Sequence, residues 1–97
     1  MTATIVLINL FEVPSGTENE FLEWWKKCSE ALKSEPGFID ATLHRKLKPD
    51  TRFQYINVAH WETEESLNVA RTRNQAILRS IPAGKGEPAI YEVALAY

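Results

Sequence analysis

Apolar residues in this chain follow two alternating rhythms. Thr4 to Val13 (TIVLINLFEV) is dense in β-branched and large apolar side chains and is closed by Pro14, Ser15 and Gly16, which predicts a first strand. From Thr17 the period lengthens: Phe21, Trp24, Trp25, Cys28, Ala31 and Leu32 recur at a spacing of three and four. That spacing predicts a helix from an N-cap at Thr17, with Glu20 placed for a capping box, to about Ser34, before Pro36 and Gly37. Its other face, Glu23, Lys26, Lys27, Glu30 and Lys33, mixes opposite charges at helical spacing and reads as solvated surface.

Phe38 to Leu47 and Phe53 to Glu62 are extended runs separated by Lys48, Pro49, Asp50 and Thr51, whose Pro and Asp favour a tight reversal; they predict a hairpin. Thr63 caps a second helix whose first turn holds Glu64 and Glu65 and whose apolar face is Leu67, Ala70, Ile77, Leu78 and Ile81. Pro82 stops it, and a break falls between Thr72 and Asn74. The Gly- and Pro-rich stretch Pro82 to Pro88 predicts a loop, and Ala89 to Tyr97 a fourth strand. The order β-α-β-β-α-β defines an α+β, ferredoxin-like domain over residues 1–97: a four-stranded antiparallel sheet with the helices on one face.

Strand periodicity then sorts the faces. Ile5, Leu7, Asn9, Phe11 and Val13 share one side of the first strand, and Val6, Ile8, Leu10 and Glu12 the other. On the third strand Phe53, Tyr55, Asn57, Ala59 and Trp61 oppose Gln54, Ile56, Val58, His60 and Glu62. Both sides are largely apolar, yet two helices cover only one. The open face is therefore expected to be buried against a second copy, through Val6, Ile8, Leu10, Ile56 and Val58, with His60 in the same interface.

Composition narrows the partners. A net charge of −2 with interspersed signs offers no basic stripe for nucleic acid or an anionic membrane. The longest apolar run, Thr4 to Phe11, is broken by Asn9 and too short to span a bilayer, so a cytoplasmic location is expected. Cys28 is the only cysteine and sits among core positions, an inert buried thiol. His44 and His60 lie on different strands without ligand or triad partners, which predicts no metal site.

Candidate chemistry concentrates on the third strand. Asn57 and Trp61 are four residues apart and share a face, with Asn9 on the same side if the helices cover it. Carboxamides beneath helices need hydrogen-bond partners, so they mark either a cavity holding water or ligand, or loop and helix ends that each Asn caps. Trp61 is either a core aromatic or an indole N–H donor beside that cavity.

With Asn57-Val58-Ala59-His60-Trp61-Glu62-Thr63 ending the third strand, Pro36-Gly37-Phe38 opening the second and Pro14-Ser15-Gly16 before the first helix, the chain resembles the antibiotic-biosynthesis-monooxygenase domains over essentially its whole length. The resemblance implies a homodimer closed sheet to sheet as a dimeric α/β barrel, with a pocket between each subunit's sheet and helices. It also implies cofactor-free oxygenation of a quinol-like or polycyclic aromatic substrate. Asn57 and Trp61 match the Asn and Trp that assist catalysis in the anthrone oxygenases, and Asn9, Phe11, Tyr55, Leu67 and Trp25 are the expected substrate-binding residues. Two departures matter. Leu67 stands where the anthrone oxygenases present a Tyr; and although Asn9 matches the strand-one Asn of haem-degrading relatives, Ala70 and Ser80 fall where those carry a Trp and a His ligand, which disfavours haem degradation. No general base is visible, and Arg71, Arg73 and Arg79 read as solvated surface rather than an anion site. The second reading is a non-catalytic, small-molecule-binding or stress-related dimer on the same fold.

Overall fold

The structure, a computed structural model, describes residues 4–97. Strand β1 (Ile5–Glu12) leads through helix α1 (Glu18–Leu32) to β2 (Phe38–Arg45) and β3 (Tyr55–Trp61). Helix α2 (Glu64–Arg73), a single turn α3 (Gln75–Leu78) and β4 (Lys85–Tyr91) complete the chain. The four strands form one antiparallel sheet in the order β2-β3-β1-β4, the ferredoxin-like arrangement.

The helix starts differ in how they satisfy their free N–H groups. Thr17 precedes α1 without accepting from it; its Oγ1 donates to Pro14 O at 2.6 Å, so the expected capping box with Glu20 does not form. Thr63 does cap α2: its Oγ1 accepts from the Ser66 N–H at 3.0 Å, and Ser66 Oγ accepts in return from the Thr63 N–H at 3.3 Å. Gly37, at φ +90°, runs so close to the Ser66 side chain that a Cβ there would collide with it. The break in the second helix falls at Asn74, whose Nδ2 donates to Ala70 O at 2.8 Å and to Glu35 Oε2 at 3.3 Å, tying the helix end to the segment after α1.

Two boundaries differ from the sequence expectation. The β2 and β3 strands end at Arg45 and resume at Tyr55, although the turn forms on the expected residues, Thr51 N–H donating to Lys48 O at 3.2 Å, and Lys46 N–H still donates to Gln54 O at 3.0 Å beyond the strand ends. The fourth strand is Lys85–Tyr91, not Ala89–Tyr97. Gly86 and Pro88 are accommodated because β4 is an edge strand paired only with β1, where a missing N–H breaks no second ladder. Beyond Tyr91 the chain is exposed, with Leu95 81% accessible.

Alternation assigns the faces as expected. Leu7, Phe11, Val13, Tyr55, Ala59 and Trp61 are buried beneath the helices, in one cluster with Leu67 and Ala70 and in another with Phe21. Phe21 is fully buried, stacked on Tyr55 at 4.8 Å and edge-on to Phe11 at 4.9 Å. Burial of such a ring contributes roughly 1.5–3 kcal/mol and fixes α1 over one end of the sheet. Val6, Ile8, Leu10, Ile56 and Val58 occupy the opposite face, with Ile8 beside Val58 and Leu10 beside Ile56. No helix among the described residues is long and apolar enough to cross a membrane.

Candidate active site

Between the two clusters the sheet and helices enclose a cavity of about 550 Å³. Its floor is the sheet: Leu7, Asn9 and Phe11 from β1, Asn57, Ala59 and Trp61 from β3. The antiparallel register sets Asn9 directly opposite Asn57, so the two carboxamides stand side by side on the floor, with Cβ atoms ~5 Å apart by strand geometry. Both Oδ1 atoms are buried, and neither has a hydrogen-bond partner among the described residues. Such oxygens cost stability unless a donor reaches them, and both residues border the cavity. Room for Asn9 depends on β4. A Cβ on Gly86 would lie 2.7 Å from Asn9 Oδ1 and 2.8 Å from Phe11 Cε1.

The walls are aromatic. Trp24 and Trp25 come from α1, and the Trp24 Nε1–H donates to Ile77 O at 2.8 Å, locking that indole between α1 and α3. Trp61, 1% exposed, meets Phe38 edge-on at 5.3 Å. Leu67 and Arg71 enter from α2, one turn apart. Of the residues singled out from the sequence, Asn57, Trp61, Asn9, Phe11, Leu67 and Trp25 border this one cavity. Tyr55 lies beneath Phe21 in the adjoining core and does not line it. Trp24, Gly86 and Arg71 were not singled out as pocket residues, although the helical spacing of Trp24 from Cys28 and of Arg71 from Leu67 carried the signal.

The described lining contains no carboxylate, histidine or tyrosine. Cys28 borders the cavity, but burial pushes its thiol up to about 11, only partly offset by its backbone hydrogen bond, so it stays protonated and unreactive. Arg71 is half-buried, and loss of water around the guanidinium lowers its pKa. Ala70 is fully buried against Trp61 and Leu67, and Ser80 is exposed outside the cavity, its Oγ donating to Ile77 O at 2.7 Å. His60 sits on the open face, 2.6 Å from Asp40 Oδ1. Among the described residues no group of three His, Cys, Asp or Glu side chains could hold a metal ion.

A compact sheet-and-helix domain with an aromatic cavity floored by Asn and Trp places the chain in a family. It belongs to the antibiotic biosynthesis monooxygenase family, whose pattern matches residues 4–76. The chain is 29% identical to a proposed monooxygenase from Shewanella loihica PV-4, with a TM-score of 0.88 covering 99% of each chain. It shares the fold of SnoaB, a cofactor-independent oxygenase from Streptomyces nogalater, at 21% identity and a TM-score of 0.77 over 97% and 96% of the two chains. A mycobilin-producing haem oxygenase from Mycobacterium tuberculosis is 36% identical over 62 residues, 64% of this chain and 57% of that protein's length.

Proposed function

We propose that this chain is a cofactor-independent monooxygenase that oxidises a quinol-like or polycyclic aromatic molecule with dioxygen. The observation that carries the reading is the pair of buried carboxamide oxygens of Asn9 and Asn57, without a hydrogen-bond partner among the described residues, on the floor of an aromatic-walled cavity. An unmatched acceptor in an apolar slot suits a phenolic O–H, and the flat walls formed by Trp25, Trp61 and Phe11 suit the ring that bears it. Once the hydroxyl ionises, rotation of the same amide presents Nδ2–H to the oxygen, stabilising the charge that develops as the carbanion meets dioxygen. The substrate supplies both the two electrons and the two protons that release one oxygen atom as water while the other enters the ring, so that a quinol and dioxygen give a hydroxyquinone and water. The absence of a carboxylate or histidine in the described lining assigns the deprotonation to the substrate's own acidity.

Haem degradation suits the cavity less well. Ala70 is locked into the core where a Trp is expected, Ser80 points away, and the Cys28 thiol is protonated, so the lining offers no strong iron ligand. The apolar outer face of the sheet supports a homodimer with one such pocket per subunit.

Oxygen uptake by the purified protein with a panel of quinols and anthrones tests the reading. Asn57→Ala and Trp61→Ala are each expected to lower kcat/KM, by roughly a hundredfold where a charge-stabilising donor is lost. Uptake no faster than buffer for every compound refutes it, and a shifted Soret band on haemin titration would instead favour the haem-handling relatives.

A further inference from the structure

Ion pairing is unevenly shared among the charged side chains of the fold. Among the described residues, Arg73 pairs with Glu35 at 3.3 Å, Arg52 with Glu12 at 3.2 Å, and Lys33 with Glu30 at 2.7 Å. Among the described residues neither Arg71 nor Arg79 has a carboxylate within 4.0 Å although both border the cavity, and of the two only Arg71 is half-buried. A guanidinium withdrawn from water without a counter-ion is destabilising, and such a group is retained where an anion arrives to pair with it. Gln75 and Arg79 also border the cavity, following Arg71 at intervals of four, so α2 and α3 present a polar wall above a floor that carries only neutral carboxamides. The depressed pKa of the Arg71 side chain has the same origin, loss of solvent around the charge.

We infer that the ligand is a hydroxylated aromatic acid, its hydroxyls meeting Asn9 and Asn57 on the sheet and its carboxylate pairing with Arg71 on the helix wall. The inference rests on the cavity being the aromatic substrate site proposed above, and it adds the charge of the substrate. Guanidinium and carboxylate match as planar, two-pronged partners, which favours a carboxylate over a single phenolate oxygen at this position.

Trp24, Trp25 and Trp61 border the cavity and report its occupancy by fluorescence. Anaerobic titrations with 1,4-dihydroxy-2-naphthoate and with its methyl ester are compared in the wild-type protein, Arg71→Met and Arg71→Lys. The acid is expected to bind at least about tenfold more tightly than the ester, the size of one charge-assisted hydrogen bond. Arg71→Met is expected to bring the two to parity, whereas Arg71→Lys keeps part of the preference. If Arg71→Met does not fold, the wild-type preference and its decline with added salt decide the matter. Equal affinities in the wild type, a preference that survives in Arg71→Met, or no saturable quenching by either probe overturns the inference. Because no oxygen is consumed, a failed oxygenase reading leaves the acid preference measurable. Conversely, a lost preference leaves oxygen uptake with neutral quinols intact.

Discussion

Asn57→Leu should make the protein more stable and less able to function. The wild-type Oδ1 is buried with no partner among the described residues, and an unmatched carboxamide oxygen costs about 1–3 kcal/mol relative to an apolar group of similar shape. Leucine removes that penalty, adds apolar contact with Ala59 and Leu43 on the neighbouring positions, and suits a central strand better than asparagine. Its extra bulk projects into the cavity rather than into packed core, so little strain offsets the gain. A net stabilisation of about 1–2 kcal/mol corresponds to roughly 4–16 °C in Tm for a domain of this size.

Urea titration at one fixed protein concentration is the assay, because unfolding of a dimer depends on concentration. The midpoint should rise with the m-value unchanged, while oxygen uptake falls towards the buffer rate. The reasoning fails if Asn57→Leu is less stable than wild type: that result means the carboxamide is satisfied in the free protein and is structural rather than held ready for a ligand.

Three further outcomes follow from the geometry. Ile8→Lys or Val58→Lys, neighbours on the open sheet face, should shift sedimentation from twice the chain mass to the chain mass while leaving circular dichroism unchanged. Gly86→Val drives a side chain against Asn9 Oδ1 and Phe11; it should destabilise the fold by roughly 1–3 kcal/mol and weaken binding of aromatic probes, measured by thermal unfolding and Trp quenching. The Cys28 thiol, raised from 9.0 to about 11 by burial, contributes stability that is whole below pH 9 and lost as pH rises towards 11. Cys28→Ala should flatten that alkaline decline in denaturant titrations, and wild-type thiol should react with a disulfide reagent at pH 8 only after unfolding.

Much of this architecture was legible because strand and helix periods differ. The parity of β1 and β3 set Asn57 and Trp61 apart from Ile8, Ile56 and Val58, and joined Asn9 to them on condition that the helices cover that face, as they do. What parity does not encode is register, so the direct opposition of Asn9 and Asn57 emerges only from the ladder. The fourth strand was misplaced because Gly86 and Pro88 are turn residues by local chemistry, and it takes the single-sided pairing of an edge to override them. Tyr55 shares parity with Asn57, but Phe21 covers it, and where α1 lays that ring is a tertiary outcome. Arg71 follows Leu67 by one helical turn, yet arginine on a helix is ordinarily solvated. Only tertiary packing leaves it half-buried beside the cavity.

These distinctions separate what the family's fold imposes from what this chain is free to choose. The sheet floor is constrained from two sides, since Asn9 and Asn57 sit in a ladder whose register also places the buried Leu7, Ala59 and Trp61. The cavity-facing positions of α2 carry no such obligation. Leu67 and Ala70 are held by the core, but one turn beyond Leu67 the charged head of Arg71 lies outside that cluster and bears the cost of partial desolvation. A residue that the fold does not need and that costs free energy to keep is better explained by a ligand than by stability. On the proposed function, substrate choice would be written on the helix wall, while the sheet beneath would supply the site that any aromatic substrate uses.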